Sequence, residues 1–334
     1  MRITKVTFYQ RKMLPEGNYS VEFIFDDVRR RLGAKIESSV AISKHYSIGL
    51  FRRIYNVIEA PFRQGDVNHI TGDVHYISLL LRKRKTILTI LDCGFMSNQV
   101  GLKAAVLKLF WLTLPVKRAQ VITAISEFTK QDILRFVDCD PEKIRVVPVA
   151  INQRFQKVPK EFNESCPTLL QVGSAPNKNL TRIIEAVGGL NIQLHIIGKI
   201  TPENLLLLEA NKIKYKNCFS ISDDELLQSY IDCDILLFPS TFEGFGMPIL
   251  EAQAIGRPVI TSNNSSMPEV AGDSAILVDA FLVDEIRKAV LNITTNRELR
   301  EELVQKGFEN IKRYDPDLIA NQYCALYEEI AAGK

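Results

Sequence analysis

The chain has no CxxC pair: its six cysteines stand apart at 93, 139, 166, 218, 233 and 324. Zinc sites and disulfide frameworks need closely patterned thiols, so neither is expected, and the thiols read as reduced ones in a cytoplasmic setting. Long apolar runs are missing too. No stretch approaches the roughly 18 uncharged apolar residues that a bilayer-spanning helix needs. The basic start MRITKVTFYQRKMLPEGNYS carries no apolar signal core. A protein neither exported nor membrane-spanning is expected, which leaves open a place on the inner face of a membrane. Glycine (17) and proline (14) are too sparse for a collagenous chain, and no repeat or low-complexity segment is found. No GxGxxG follows a strand-like run, which disfavours a dinucleotide oxidoreductase.

What is present is an ordinary globular composition, 46% hydrophobic and 24% charged over 334 residues. That length suits two domains of about 150 residues. The net charge of +3 conceals an asymmetry: residues 1–160 carry 27 Lys and Arg against 14 Asp and Glu, a net +13, and the remainder carries −10. Arg29 to Arg31, Arg52 and Arg53, Arg82 to Lys85, and Lys117 and Arg118 form the basic runs. No stacking aromatics interleave with them, so nucleic acid is not expected, and an anionic membrane surface or another anionic partner is.

Short β-rich runs alternate with helical patterns. ITKVTFY precedes SVEFIFDDVRRRL, VNHIT precedes VHYISLLLRK, and TILTIL precedes LKAAVLKLFWLTL. The alternation resumes after residue 165 with PTLLQVG, LTRIIEAVGGL, IQLHIIG, DDELLQSYI, DILLFPS, MPILEAQAIG, PVITS and AILVD. Such βαβ succession predicts parallel sheets with helices on both faces, an α/β class with ligands at the carboxyl ends of the strands. Three segments are expected. Residues 1–160 form a first α/β domain, 161–315 a second, and 316–334 a terminal helix packing back toward the first, with 153–167 as linker.

The densest cluster is PSTFEGFGMPILE, residues 239–251, between the strand DILLF and a helix with Pro248 in its first turn. Gly244 and Gly246 allow close approach of a ligand, and the helix N-terminus offers N–H groups and partial positive charge to a phosphate. Glu243 and Glu251, eight residues apart, can accept hydrogen bonds from sugar hydroxyls.

EGFGMPILE, with seven residues between its glutamates, resembles the E-x7-E signature of the retaining glycosyltransferases of family 4 (glycosyl transferases group 1). VITAISEFTKQDI, KIRVVPVAI, LLQVGSAPNKNLTRIIEAV, LHIIGK, DELLQSYIDCDILLFPS and GRPVITSNNSSMPEVAGDSAILVD follow that family's order. The resemblance covers residues 120–280 well and the N-terminal third loosely. It implies the GT-B fold, two Rossmann-like doubly wound domains facing each other across a cleft. It also implies a nucleotide-diphosphate sugar as donor, a glycan or lipid-linked acceptor in cell-surface polysaccharide or glycolipid synthesis, and no metal or other cofactor. Glu251 would hold ribose hydroxyls, while Glu243 and the backbone of Gly244, Phe245 and Gly246 would contact the sugar and diphosphate. Lys178, in the loop opened by Gly173, would neutralise the leaving group. Gly17 and Asn18 would lie in a loop near phosphates and acceptor.

Two positions depart from the family pattern. Ser174 stands where many members have an arginine, with Arg182 the nearest other cation. Leu91 stands where many have a histidine, which makes its neighbour Asp92 the candidate for orienting the acceptor or taking its proton; His69 and His75 are the alternatives. Asp138 with Asp140, and Asp232 with Asp234, have DxD spacing but lack the oxygen-rich loop of a divalent site. A catalytically silent GT-B protein, serving as scaffold or nucleotide-sugar sensor, is the competing expectation.

Overall fold

The computed structural model describes residues 3–13, 20–96 and 101–333. The chain divides into two compact units, one of residues 1–150 with 316–334 and one of residues 151–315. The first holds six parallel strands: β1 (Thr4–Gln10), β2 (Ile36–Ile42), β3 (Val67–Ile70), β4 (Thr86–Ile90), β5 (Val121–Ala124) and β6 (Ile144–Val146). Their order in the sheet is β2-β1-β3-β4-β5-β6. The second holds β7 (Thr168–Val172), β8 (Gln193–Ile197), β9 (Lys214–Cys218), β10 (Ile235–Phe238), β11 (Val259–Ser262) and β12 (Ile276–Val278), all parallel. Here the order is β12-β11-β10-β7-β8-β9. The interior strands VNHI, TILTI, VITA and ILLF are buried along their whole length, as parallel strands covered on both faces must be.

Each order reverses once, between β1 and β3 in the first unit and between β7 and β10 in the second. Loops leaving the two strands at such a reversal run to opposite faces of the sheet and open a crevice at its carboxyl edge, which is where doubly wound sheets bind ligands.

The boundary between the units falls at residue 150 rather than 160, and the expected linker is fastened to the second unit. Val158 N–H donates to Ile255 O, and Lys160 pairs with the buried Asp234, which also accepts from the N–H groups of Asn163 and Thr168. The charge contrast is correspondingly smaller. The first unit has 25 basic and 17 acidic residues, net +8, and the second 17 and 22, net −5.

VHYISLLLRK forms two 3-10 turns, His75–Leu80 and Lys83–Lys85, instead of a helix, because His75, Tyr76, Ile77 and Ser78 are all buried and no side is left for water. The edge strands β2 and β9, and a helix over Leu50–Glu59, stand where the apolar alternation marked nothing.

The helix Pro316–Ala332 belongs to the first unit. Its Ile319, Tyr323, Tyr327 and Ile330 pack with Val6, Phe8, Phe25 and Val67. Lys85 Nζ donates to the carbonyls of Ile330 and Ala331, placing a cation on the free carbonyls of the helix's last turn.

Candidate active site

In the second unit the loops that leave β7 and β10 carry the residues singled out by their sequence. Gly173 follows β7 with φ +91°, a conformation glycine adopts without strain. A Cβ there would stand 2.9 Å from Cγ and Cε of Lys178, so the missing side chain gives the lysine its path. Gln171, wholly buried in β7, donates from Nε2 to the carbonyls of Gly173 and Lys178 and fixes the turn between them. Asn179 closes that turn in the left-handed region at φ 62°, and its Nδ2 donates to the carbonyls of Pro239 and Ala280.

The β10 loop meets it directly. Lys178 Nζ lies 2.6 Å from Glu243 Oε1 and 4.7 Å from the Phe238 ring centroid. Asn177 Nδ2 donates to Phe242 O at 2.9 Å and to Glu243 Oε1 at 3.3 Å, and Thr241 N–H donates to Asn177 O. From below, Ser265 Oγ accepts from the Glu243 N–H while Ser266 Oγ donates to the carbonyls of Glu243 and Phe245. Gly246, at φ +112°, caps the helix Met247–Ile255, and Pro248 occupies its first turn. The Phe245 ring is buried against Tyr314 and so points away from the loop surface.

Glu251 lies one turn into that helix and accepts from the hydroxyl of the fully buried Tyr230 at 2.5 Å. Burial raises its carboxyl to about 7, against the opposing Tyr230 hydrogen bond and the charge of Lys178. Burial, then the Glu251 charge, pushes the Tyr230 hydroxyl well above its usual range. Lys178 is thus the common neighbour of both glutamates, in ion-pair contact with one and electrostatically coupled to the other.

Arg182 is committed elsewhere: it donates to Asn179 Oδ1 and lies over the Phe281 ring. Ser174 Oγ is 2.6 Å from where a Cβ on Gly198 would sit, so these two loops touch. Asp234 holds the strap described above, Asp232 accepts from Gln228, and Asp140 accepts from Glu142 N–H at a turn. A cavity of about 580 Å³ beneath that strap, lined by Lys157, Phe162, Arg257 and Arg300 among others, includes none of the candidate residues.

In the first unit the two histidines separate. His69, on β3, is fully buried among Phe8, Phe25, Tyr323 and Tyr327, with Nδ1 2.8 Å from Tyr327 Oη and Nε2 2.7 Å from Thr89 Oγ1. Both nitrogens are occupied, and burial holds the ring at about 3, so His69 is a core residue and no stand-in for the family histidine. His75 donates from Nδ1 to Trp111 O, and burial lowers its ring below the usual imidazole range against that bond and the charges of Asp73 and Asp92. Asp92 accepts from Gly94 N–H at 2.8 Å, and burial raises its carboxyl, making it the better proton acceptor once ionised. Gly17 and Asn18 lie outside the described residues.

Tyr230, Asn177, Asn179, Ser265 and Ser266 carry no chemistry that residue type alone would announce. All five do sit in the segments that resemble the family, the one signal that pointed near them.

The glycosyl transferases group 1 family matches residues 152–310. The O-antigen chain mannosyltransferase B of Escherichia coli is 26% identical over 235 residues, 63% of this chain and 61% of that protein. An MMP alpha-(1->4)-mannosyltransferase of Mycolicibacterium hassiacum is 29% identical over 63% of this chain and 54% of its own length. The chain thus spans about three-fifths or less of these curated relatives. In fold it is similar to Anabaena HepE in complex with UDP and glucose, with a TM-score of 0.77 and 14% identity over 98% of this chain and all of that one. Residues 152–310 are a glycosyl transferases group 1 domain, in a chain with the GT-B fold.

Proposed function

We propose that the chain is a retaining, metal-independent glycosyltransferase. It would move a sugar from a nucleotide-diphosphate sugar on the second unit to a glycan or lipid-linked acceptor on the first, in cell-surface polysaccharide or glycolipid synthesis. The observation that carries this reading is the Lys178–Glu243 contact at the sheet reversal, beside the N-terminus of Met247–Ile255. Breaking the bond between the anomeric carbon and the phosphate leaves its electron pair on the diphosphate. A fixed ammonium and a helix N-terminus stabilise that charge as it develops. The acceptor hydroxyl forms the new bond on the face that the diphosphate leaves, and its proton passes to the departing phosphate or to Asp92. Glu251 would hold the ribose hydroxyls, with Tyr230 fixing its rotamer. The relatives named as mannosyltransferases and the UDP and glucose in the similar structure support sugar-nucleotide chemistry without identifying sugar or base.

The protein would work on the cytoplasmic side, drawn by its basic first unit to the inner face of an anionic membrane. The described residues include no helix long and apolar enough to cross one. A panel of nucleotide sugars, assayed for nucleotide release with acceptor-containing lysate, tests the proposal. Binding and turnover that Glu243→Gln abolishes is the expected result, and failure of every nucleotide to bind overturns it. Binding without transfer to any acceptor favours a nucleotide-sugar sensor or scaffold, the reading to which Ser174 and Leu91 lend weight.

A further inference from the structure

The helix Leu50–Glu59 in the first unit is mounted with its apolar side outward. At about 100° per residue, Leu50, Phe51, Ile54, Tyr55 and Ile58 fall within an arc of roughly 140°. All five are exposed, and Phe51 is 86% exposed. Just past the helix Phe62 is 85% exposed. The side turned to the unit carries Val57, which packs against the core, together with the polar Arg53 and Asn56. Asn56 is buried, donates to His45 O and accepts from His45 N–H, while Arg53 donates to Ser47 O and lies 4.5 Å above the Trp111 ring. These bonds fix the rotation of the helix, so the outward arc is not a consequence of loose attachment.

Trp111 ties a second stripe to the first. It follows the helix Gly101–Lys108, on which Leu102 and Val106, with Leu109 and Phe110 beyond, recur at helical spacing and are exposed. Over residues 40–63 and 101–118 there are eight basic residues (Lys44, Arg52, Arg53, Arg63, Lys103, Lys108, Lys117 and Arg118) and one acidic residue, Glu59. A protein partner would need a matching acidic and apolar face. An anionic bilayer offers both chemistries everywhere on its surface, acyl chains for the arc and phosphates for the cations.

We infer that this face, Leu50 to Phe62 with Leu102 to Phe110, is a docking surface that inserts its apolar side chains into an anionic phospholipid bilayer. The inference rests on the membrane-facing reading of the first unit, but places the contact here and not on charge runs such as Arg82 to Lys85.

Flotation of the full chain with vesicles of phosphatidylcholine, with and without phosphatidylglycerol, tests it. Trp111, the single tryptophan, reports on the face through its fluorescence. The expected result is binding to anionic vesicles with a blue shift of Trp111, partly retained at about 0.5 M NaCl because apolar insertion is not screened. Phe51→Ser with Phe62→Ser should lower partitioning by about tenfold or more, since each change removes one inserted aromatic ring. Both positions are exposed, so folding and UDP or GDP affinity should be unchanged. If the double variant binds as the parent does and salt releases both, this face is wrong and membrane attraction by charge survives. If the parent binds no anionic vesicle, both readings fail. A lipid-free dimer that the same substitutions dissociate would overturn the inference in favour of a second copy as the occupant.

Discussion

The carboxyl edges of the two sheets make an instructive pair. In the second unit, loops from adjacent strands β7 and β10 are bonded to each other at several points, and a lysine and two glutamates share one small region. In the first, the loops after β3 and β4 carry Asp73, paired with Arg11, His75, bonded to the Trp111 carbonyl, and Asp92, which accepts from Gly94 N–H. On the function proposed above, the second unit's edge is preorganised for the charge that develops on a leaving diphosphate. Among the described residues the first unit's edge has fewer side-chain bonds between its loops, which suits the acceptor site proposed for it.

That contrast breaks most readily at Lys178. Lys178→Ala removes the fixed cation, and sugar transfer should fall by about 10²–10³-fold, the usual cost of losing one preorganised electrostatic contact. Titration should show UDP and GDP weakened while uridine and guanosine bind as before. Equal loss for nucleosides would mean that Lys178 holds the loop and not the phosphates. Asp92→Asn should instead lower turnover and leave nucleotide affinity unchanged, because the role proposed for it lies with the acceptor.

The next largest effect concerns stability in the first unit. His69→Gln should cost about 2–3 kcal/mol at neutral pH by leaving Tyr327 and Thr89 hydroxyls imperfectly paired in the core. The folded ring titrates at about 3 against an ordinary 6.5, so the folded state binds fewer protons between those values and loses stability as pH falls through that window. Denaturation curves at pH 7.5 and 5 should show the gap between parent and variant narrowing by about 1–2 kcal/mol. A constant gap would mean the ring keeps its proton when folded.

Much of this was legible in advance, and the parts that were not share a cause. The loop 239–251 declares itself because an apolar strand, two glycines and a helix-starting proline are contiguous. The Lys178–Glu243 contact spans 65 residues and exists only because the sheet order puts β7 beside β10. His69 and His75 look alike in HITGDVH. What separates them is Tyr327, which arrives from a helix 258 residues away. The boundary misplaced at 160 likewise turned on Asp234 capturing the strap. The helix Leu50–Glu59 leaves no mark in the alternation of apolar runs because most of its apolar side chains face away from the core.

A gentler perturbation of the second unit is Gly173→Ala. Its φ of +91° strains any side chain, and the new methyl meets Lys178. The lysine is flexible and can swing aside, so the fold should lose only about 1–2 kcal/mol. Nucleotide diphosphates should bind about tenfold more weakly, as the ammonium leaves its place beside Glu243. Unchanged affinity would show that the loop reaches the phosphates without a prepositioned lysine.

The smallest expected effect is also the most specific to the second unit. Glu251 titrates near 7 because it is buried, so at neutral pH a large share of the unliganded protein carries it protonated. Ribose hydroxyls donate best to the carboxylate, so binding a nucleotide there should expel that proton. The sign follows: affinity for UDP or GDP should rise as pH passes from 6 to 8, by up to about tenfold, and calorimetry in buffers of different ionisation enthalpy should show a fraction of a proton released near pH 7. Glu251→Gln should remove both the pH dependence and the proton release. Tyr230→Phe removes the bond that favours the carboxylate, so it should move the midpoint upward and leave the diphosphate contacts intact. A pH profile indifferent to Glu251→Gln would place the ribose elsewhere and leave the diphosphate contacts, Lys178 among them, as what the nucleotide uses at this edge.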